Sequence, residues 1–426
     1  MKKLLKILTI IILFLVVAAC TFFLYESRDT TNATPENITQ ILDEAAELGR
    51  FGGFAVSVFN ADSVFYSKGF GYQDVEKQVP YTNQTLQKVA SVSKTNIGLA
   101  LMKAQELGLL KITDPINEHL PFVIKNPHFP EQTITIEHLA THTSSMNYNE
   151  AVVESVYIDE IDKDPSLQAF MNSYFVKGGD LYSTDYWLKQ APGTYFEYSN
   201  IASALAAYII EYKSGISFSD FSKKYIYEPL DLQNTAWFAN KLNPDLLATN
   251  YVMDEDRKLH RSDKEGIILY PVGDMITNIG DLTRYCQAII AKGTRSDLAI
   301  LQPLSFQSML ANKLSAEVAH QEFKAHGIFN YVNMNVNGVP LNLQGHSGGD
   351  DCLHTNMFFD PKTNMGYILM ANTGAADGNH GMRVYVYQTL HSLGKYILKQ
   401  EKKGSVTAYL AYVWHDASSR IMSPFD

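Results

Sequence analysis

The chain has 426 residues, 46% of them hydrophobic and 19% charged, which is ample material for a large packed core and far from the composition of a disordered chain. Its 45 acidic against 35 basic residues give a net charge of −10, and this argues against a nucleic-acid partner, because no cationic footprint is left for a phosphate backbone.

In chain order, the first twenty-five residues open with Lys2, Lys3 and Lys6 and continue as an uncharged apolar run from Ile7 to Tyr25. Such a run targets a membrane, and it is long enough to span one as a helix with the lysines held on the cytoplasmic side. Residues 1–25 are therefore expected to be a signal or membrane anchor, placing the rest of the chain in the cell envelope outside the cytoplasm. Two forms of attachment stay open: an uncleaved transmembrane helix, or a lipoprotein anchored at Cys20 after the small residues Val17, Ala18 and Ala19. Simple secretion is the third possibility. Residues 26–39, polar and interrupted by Pro35, read as a linker into a helix near residue 37.

The folded domain is expected over residues 40–395. "GFAVSVFNADSVFYSKGFGY" alternates apolar and polar residues around Asn60-Ala61-Asp62, as a half-buried β-hairpin does. Residues 91–108, 135–142, 200–213 and 280–292 show the three-and-four spacing of helices. Near the other end, "VPLNLQGHSGG" and "TNMFFDPKTNMGYILMANT" read as further antiparallel strands, and "MRVYVYQTLHSLGKYILK" as a covering helix. The fold class is thus α/β: an antiparallel sheet flanked by helices, joined from both ends of the chain, with a mostly helical inserted subdomain. Residues 146–190 read as a long loop or lid, and 396–426 as a tail matching no element. Cys286 and Cys352 are too few for a disulfide framework; two thiols or a single bridge both fit.

The chemistry starts at "VASVSKTNIG", where Ser91 and Lys94 are spaced to share one face at the start of a helix. A serine hydroxyl is a poor nucleophile unless a neighbour takes its proton, and a lysine can do so only if burial or the helix dipole lowers its pKa. Tyr198 and Asn200, just before another helix, add a phenol that can relay a proton and an amide that can hold a substrate carbonyl. His346-Ser347-Gly348-Gly349 follow at the end of a strand. Each pattern has echoes, at Ser392 and Lys395, at Tyr81 and Asn83, at Tyr331 and Asn333, and at Lys213-Ser214-Gly215, where Gly215 reads as a helix C-cap.

Taken in order, Ser91-x-x-Lys94, Tyr198-x-Asn200 and His346-Ser347-Gly348 resemble the serine β-lactamase and penicillin-binding protein superfamily, whose motif set pairs a Ser-x-x-Lys with two later elements. Tyr-Ser-Asn and His-Ser-Gly in the later places resemble the class C β-lactamase-like branch, which also holds D-Ala-D-Ala carboxypeptidases, D-aminopeptidases and esterases. "GLLKITDPINEHLP", "ITIEHLATHTSSM", "YIYEPLDLQNTAW" and "YPVGDMITNIGDLTRYCQAII" extend the likeness over about residues 40–395, with Ser145 standing where the family usually has glycine.

The resemblance implies Ser91 as nucleophile, Lys94 and Tyr198 as the other catalytic groups, and Asn200, His346, Ser347, Gly348 and Gly349 around the substrate. It places the oxyanion hole at the N–H groups of Ser91 and Gly349. It implies no cofactor, and a small-molecule or peptide substrate such as cell-wall peptide. A histidine at 346, where β-lactamases of this branch usually carry lysine, favours a carboxyl-ester or D-amino-acid peptide hydrolase. A β-lactam-hydrolysing enzyme and a slowly deacylating penicillin-binding sensor are the alternatives. A metal held by His346 with His138 and His142 lacks a recognised ligand pattern, so no metal is expected. His142 and Asp114 read as structural residues, and Asp350 and Asp351 as either attractors of a cationic substrate group or plain turn residues.

Overall fold

The strand-forming runs at the two ends of the chain close into one sheet. The computed structural model describes residues 32–49, 51–147, 157–158, 166–262, 266–318, 326–336, 339–374 and 380–401. The apolar segment with Cys20 and nearly all of the C-terminal tail lie outside them. Among the described residues no helix is long and apolar enough to cross a membrane.

Helix α1 (Ile38–Glu47) leads into the hairpin of β1 (Gly53–Phe59) and β2 (Val64–Asp74), followed by the short β3 (Val79–Pro80). The hairpin turns where Asn60 Oδ1 accepts from the N–H groups of Asp62 (2.9 Å) and Ser63 (2.8 Å), a local bond that a short amide or carboxylate side chain favours. The inserted part carries α2 (Lys94–Glu106), α3 (Ile136–Ala140), α4 (Leu167–Phe175), α5 (Asn200–Ser214), α6 (Phe218–Ser222), α7 (Ile279–Ala291) and α8 (Pro303–Leu310). Strands β4 (Tyr331–Val336), β5 (Val339–Gly349), β6 (His354–Phe359) and β7 (Gly366–Ala371) then precede α9 (His380–Glu401). The sheet runs β4-β5-β6-β7-β1-β2-β3, antiparallel throughout, and β1 joins the two ends of the chain by pairing Phe54 with Ala371 and Val58 with Tyr367.

Alternation sends each strand's side chains to two cores. Phe54, Val56 and Val58 of β1 and Tyr367 and Leu369 of β7 meet Ile38 and Leu42 of α1 and Val386, Leu390 and Leu393 of α9. Ala55, Ile368 and Met370 point the other way, into the core that holds α7 and the helical insertion. The functional end of the molecule lies on this second face, where the strands meet the start of α2.

Two expectations change. Ala33 is buried and its N–H donates to Ser392 Oγ (3.1 Å), so the end of the expected linker is packed against α9. Within 146–190 stands a true helix, α4, capped by Ser166 and burying Leu167, Phe170, Met171, Tyr174 and Phe175. That spacing is helical, and its apolar stripe packs toward α5. Cys286 and Cys352 remain two buried thiols with no disulfide between them, one of the two readings that fitted the sequence.

Candidate active site

A short 3-10 turn, Ala90–Ser93, presents Ser91 at the head of α2. Ala90 sits at φ 45°, a left-handed conformation that a residue with a Cβ adopts only when its surroundings hold it there. They do so through the segment after Val272: the N–H of Val89 donates to Met275 O (3.0 Å), and the N–H of Met275 donates to Ser93 Oγ (3.2 Å). Beside this turn, Lys88 Nζ pairs with the buried Asp274 carboxylate at 3.1 Å. The "YPVGDM" stretch therefore braces the serine turn, a role with no local signature.

Lys94 follows one helical turn after Ser91 and has no solvent exposure. Its Nζ lies 2.8 Å from Ser91 Oγ and donates to Val272 O at 2.8 Å. Burial pushes the amine well below its ordinary value, with no carboxylate among the described residues offsetting the loss of solvent. A neutral amine has two hydrogens and one lone pair, so it can donate to Val272 O and still accept the serine proton. The same Nζ lies 5.1 Å from the centre of the Tyr198 ring.

Tyr198 is held just before α5, whose N-cap, Ser199, accepts from Ala202 N (3.2 Å). Burial raises its phenol above the usual range, partly offset by the nearby Ser91 hydroxyl. Its Oη nonetheless makes no fully formed hydrogen bond among the described residues, and neither does the buried Oδ1 of Asn200. A protonated phenol with an open donor thus stands next to the serine.

Strand β5 brings in the third motif. A Cβ on Gly348 would lie 2.3 Å from Val89 O, 2.7 Å from Ser91 N and 2.9 Å from Val92 N, so only glycine lets this strand lie against the serine turn. Gly348→Ala is expected to push the strand and turn apart and lower hydrolysis by roughly 10²-fold, the cost of about an ångström of misplacement. Wild-type steady-state rates in that variant would contradict the close approach. Ser347 is half-buried, and Gly349 is exposed at the end of the strand.

His346, which the resemblance places around the substrate, stands beside Tyr198, their ring centres 6.4 Å apart. Its ring has no solvent exposure and stacks on Tyr331 at 4.4 Å. Its Nδ1 donates to Ser347 O, which leaves Nε2 as a bare, buried lone pair. Burial holds the ring well below the ordinary histidine value. His346 therefore carries no charge at neutral pH, whereas an unperturbed histidine would be partly charged.

Three residues absent from the motifs complete the wall behind Tyr198: His326, Phe329 and Tyr331. His326, its Nδ1 donating to Gly327 O (2.7 Å), is lowered by burial to about 4. His142, His326 and His346 thus fold as neutral rings. Below about pH 6.5 the unfolded chain binds protons that the folded chain refuses, so stability is full above that pH and falls toward about pH 4, the His326 value. Each such ring contributes a slope of about 1.4 kcal/mol per pH unit within its window. A melting temperature that stays flat from pH 7 to about 4.5 would contradict neutral burial.

The remaining candidates sit elsewhere or serve the fold. His138 Nδ1 accepts from Thr135 N in a capping box, and His138 and His142 do not join His346 in a ligand set among the described residues. Asp114, Glu118 and His119 do gather their ligand atoms within 4.8 Å, but Asp114 is bonded to Lys111 N (2.7 Å) and His119 Nε2 (2.9 Å), as a loop residue is. Asp350 caps the turn after β5, its Oδ1 accepting from Cys352 N (2.7 Å) and Leu353 N (3.0 Å). Gly215, at φ 72°, ends α5, and this removes Lys213-Ser214-Gly215 from the site. Ser145 sits at φ 68°, where glycine is the easy choice, and uses its hydroxyl to bind Asn126 Nδ2 (2.9 Å).

Comparison with known proteins points one way. The family model described as Beta-lactamase matches residues 38–388. Protein flp of Staphylococcus aureus (strain MRSA252) is 23% identical over 383 residues, spanning 89% of this chain and 70% of that protein. Among solved structures, the D-amino acid amidase from Ochrobactrum anthropi SV3 matches with a TM-score of 0.67 at 21% identity, over 86% of this chain and 99% of its own. EstCE1, a hydrolase with promiscuous acyltransferase activity, matches with a TM-score of 0.66 at 19% identity, over 84% of this chain and 99% of its own. At these identities the two structures establish a shared fold.

Proposed function

The chain belongs to the β-lactamase family and is a serine hydrolase, and from that premise we propose that it cleaves a carboxyl ester or a D-amino-acid amide or peptide through an acyl-enzyme on Ser91. Ser91 Oγ attacks the substrate carbonyl while the neutral Lys94 amine, 2.8 Å away, takes its proton. Tyr198 passes a proton to the leaving group, and Asn200 holds the acyl side by its amide. The N–H groups of Ser91 and Gly349 receive the oxyanion, where one donor is typically worth about 2.7–4 kcal/mol. Water then releases the acyl group.

One observation carries the choice of substrate: His346 is buried and neutral where a fixed cation would capture a carboxylate. Lys94, the other basic group at the centre, is neutral as well. An ester or amide without a carboxylate at that place fits this site better than a β-lactam, and a leaving group with a carboxylate fits least. The D-amino acid amidase and EstCE1 lend the same reading support by analogy of fold. The lysine-fronted apolar segment Ile7–Tyr25 is the basis for placing the enzyme in the cell envelope, anchored to a membrane, within reach of cell-wall peptide.

The test is a time course with a short acyl ester, a D-amino acid amide, a D-Ala-D-Ala peptide and a chromogenic cephalosporin. Turnover of the ester or the amide well above the cephalosporin is the expected result. Preferential cephalosporin hydrolysis would contradict the charge argument, and acylation without release would replace a hydrolase by a sensor.

A further inference from the structure

Behind the serine, five rings close into a circuit. His142 lies 4.4 Å from Tyr198, Tyr198 6.4 Å from His346, His346 4.4 Å from Tyr331, Tyr331 5.2 Å from His326, and His326 5.3 Å from His142, centre to centre. Four of these rings pack; His142 also binds the backbone on both sides of Tyr198. The N–H of Glu197 donates to His142 O at 2.8 Å, and the N–H of Ser199 donates to His142 Nδ1 at 3.1 Å. Between those two bonds the imidazole lies tilted by 32° against the tyrosine ring.

We propose that His142 is the positioning residue of the site, fixing the Tyr198 phenol against Ser91 by bracketing it on the backbone and packing on its ring. The inference rests on Tyr198 serving as the proton relay. Three features argue for a dedicated clamp. His142 stands at φ 57°, a strained conformation for a residue with a Cβ, and such strain persists where the surroundings over-determine it. Its plane is set by edge-on contacts with His326, Phe329 and Phe196, at interplanar angles of 75°, 74° and 74°. An acceptor at Nδ1 requires the tautomer with hydrogen on Nε2, so the clamp works only as a neutral ring. Burial keeps it so.

A tyrosine relay needs this more than a packed core tyrosine does. The Oη of Tyr198 has no fully formed hydrogen bond among the described residues, and its approach to the Ser91 hydroxyl is a weak restraint on the ring. Orientation must come from the ring face and the backbone.

Substitution separates the two contacts. Asparagine at 142 keeps an acceptor at the Nδ1 place and removes the ring; phenylalanine keeps the ring and removes the acceptor. In single-turnover acylation by a p-nitrophenyl ester, His142→Asn and His142→Phe are each expected to slow acylation by about tenfold or more, with KM within about threefold. In a Tyr198→Phe background, His142→Asn should cost less than about twofold, since nothing remains to position. Wild-type acylation in either single variant, or full additivity in the double variant, would overturn the inference and leave the serine mechanism standing. Wild-type rates in Tyr198→Phe alone would sink the relay itself, and the inference with it. The unmutated protein gives a readout independent of folding in the variants. Its side-chain nitrogen spectrum should show His142 neutral with Nδ1 unprotonated between about pH 5 and 8, and a proton on Nδ1 would contradict the clamp.

Discussion

Ser91→Ala is expected to abolish turnover of every substrate and all covalent labelling by a fluorophosphonate, while leaving the fold intact. The residue lies in a 3-10 turn whose backbone is held by Val272–Met275, Gly348 and the start of α2, and none of those contacts uses the serine hydroxyl. The 2.8 Å contact with Lys94 Nζ and the weak approach to the Tyr198 phenol are lost, and the amine keeps Val272 O. Nucleophilic catalysis divides one hard step into two easier ones, so removing the nucleophile closes the route altogether. Ester hydrolysis persisting in the purified variant, at rates blocked by the same fluorophosphonate, would place the nucleophile elsewhere.

Lys94→Met carries the second large effect, and it acts on rate and stability in opposite senses. Methionine fills a similar space with no proton acceptor, so acylation should fall by about 10²–10⁴, the usual range for a positioned acid–base group. Stability should move the other way at neutral pH. In the wild type the unfolded chain carries a charged lysine below its ordinary value of 10.5, whereas the folded chain holds it neutral; this lowers stability. The disadvantage is present at pH 7 and disappears as pH rises toward 10.5. The melting temperature of Lys94→Met should therefore exceed the wild type at pH 7, offset in part by the orphaned Val272 carbonyl, and the difference should shrink by pH 10. A pH-independent difference would show that Lys94 is charged in the fold, and the mechanism would lose its base.

What could be read from the sequence was what is local. Ser91 and Lys94 are one turn apart, so their approach follows from helix geometry alone. The three-and-four spacing of α2, α5 and α7 likewise carries its own evidence, and so does the hairpin of β1 and β2, although β1 is buried on both faces and not on one as its alternation suggests. Gly348 could be read as a close-approach glycine; which atoms it approaches, Val89 O and Ser91 N, depends on pairing across more than two hundred residues of chain.

The hidden part is long-range. Nothing near Val272 marks its carbonyl as the partner of Lys94, and Tyr331 looked like a chance echo until β4 and β5 paired and set it on His346. The charge of His346 could not be read at all, because it depends on a burial that the motif does not encode. Helix α4 is a different kind of miss: its stripe from Leu167 to Phe175 has helical spacing, but it lies within a polar, tyrosine-rich stretch whose composition reads as loop. His142 shows the limit most plainly. A histidine in a buried turn reads as structural, and only the bonds from Glu197 and Ser199 connect it to the tyrosine.

The most direct measurement is a quenched time course followed by mass spectrometry of the intact protein and its peptides during turnover of a p-nitrophenyl ester. The account requires a transient mass increase of one acyl group, on the peptide containing Ser91, that forms and decays at rates accounting for kcat. Turnover with no adduct at Ser91, or with the acyl group on another residue, would contradict it.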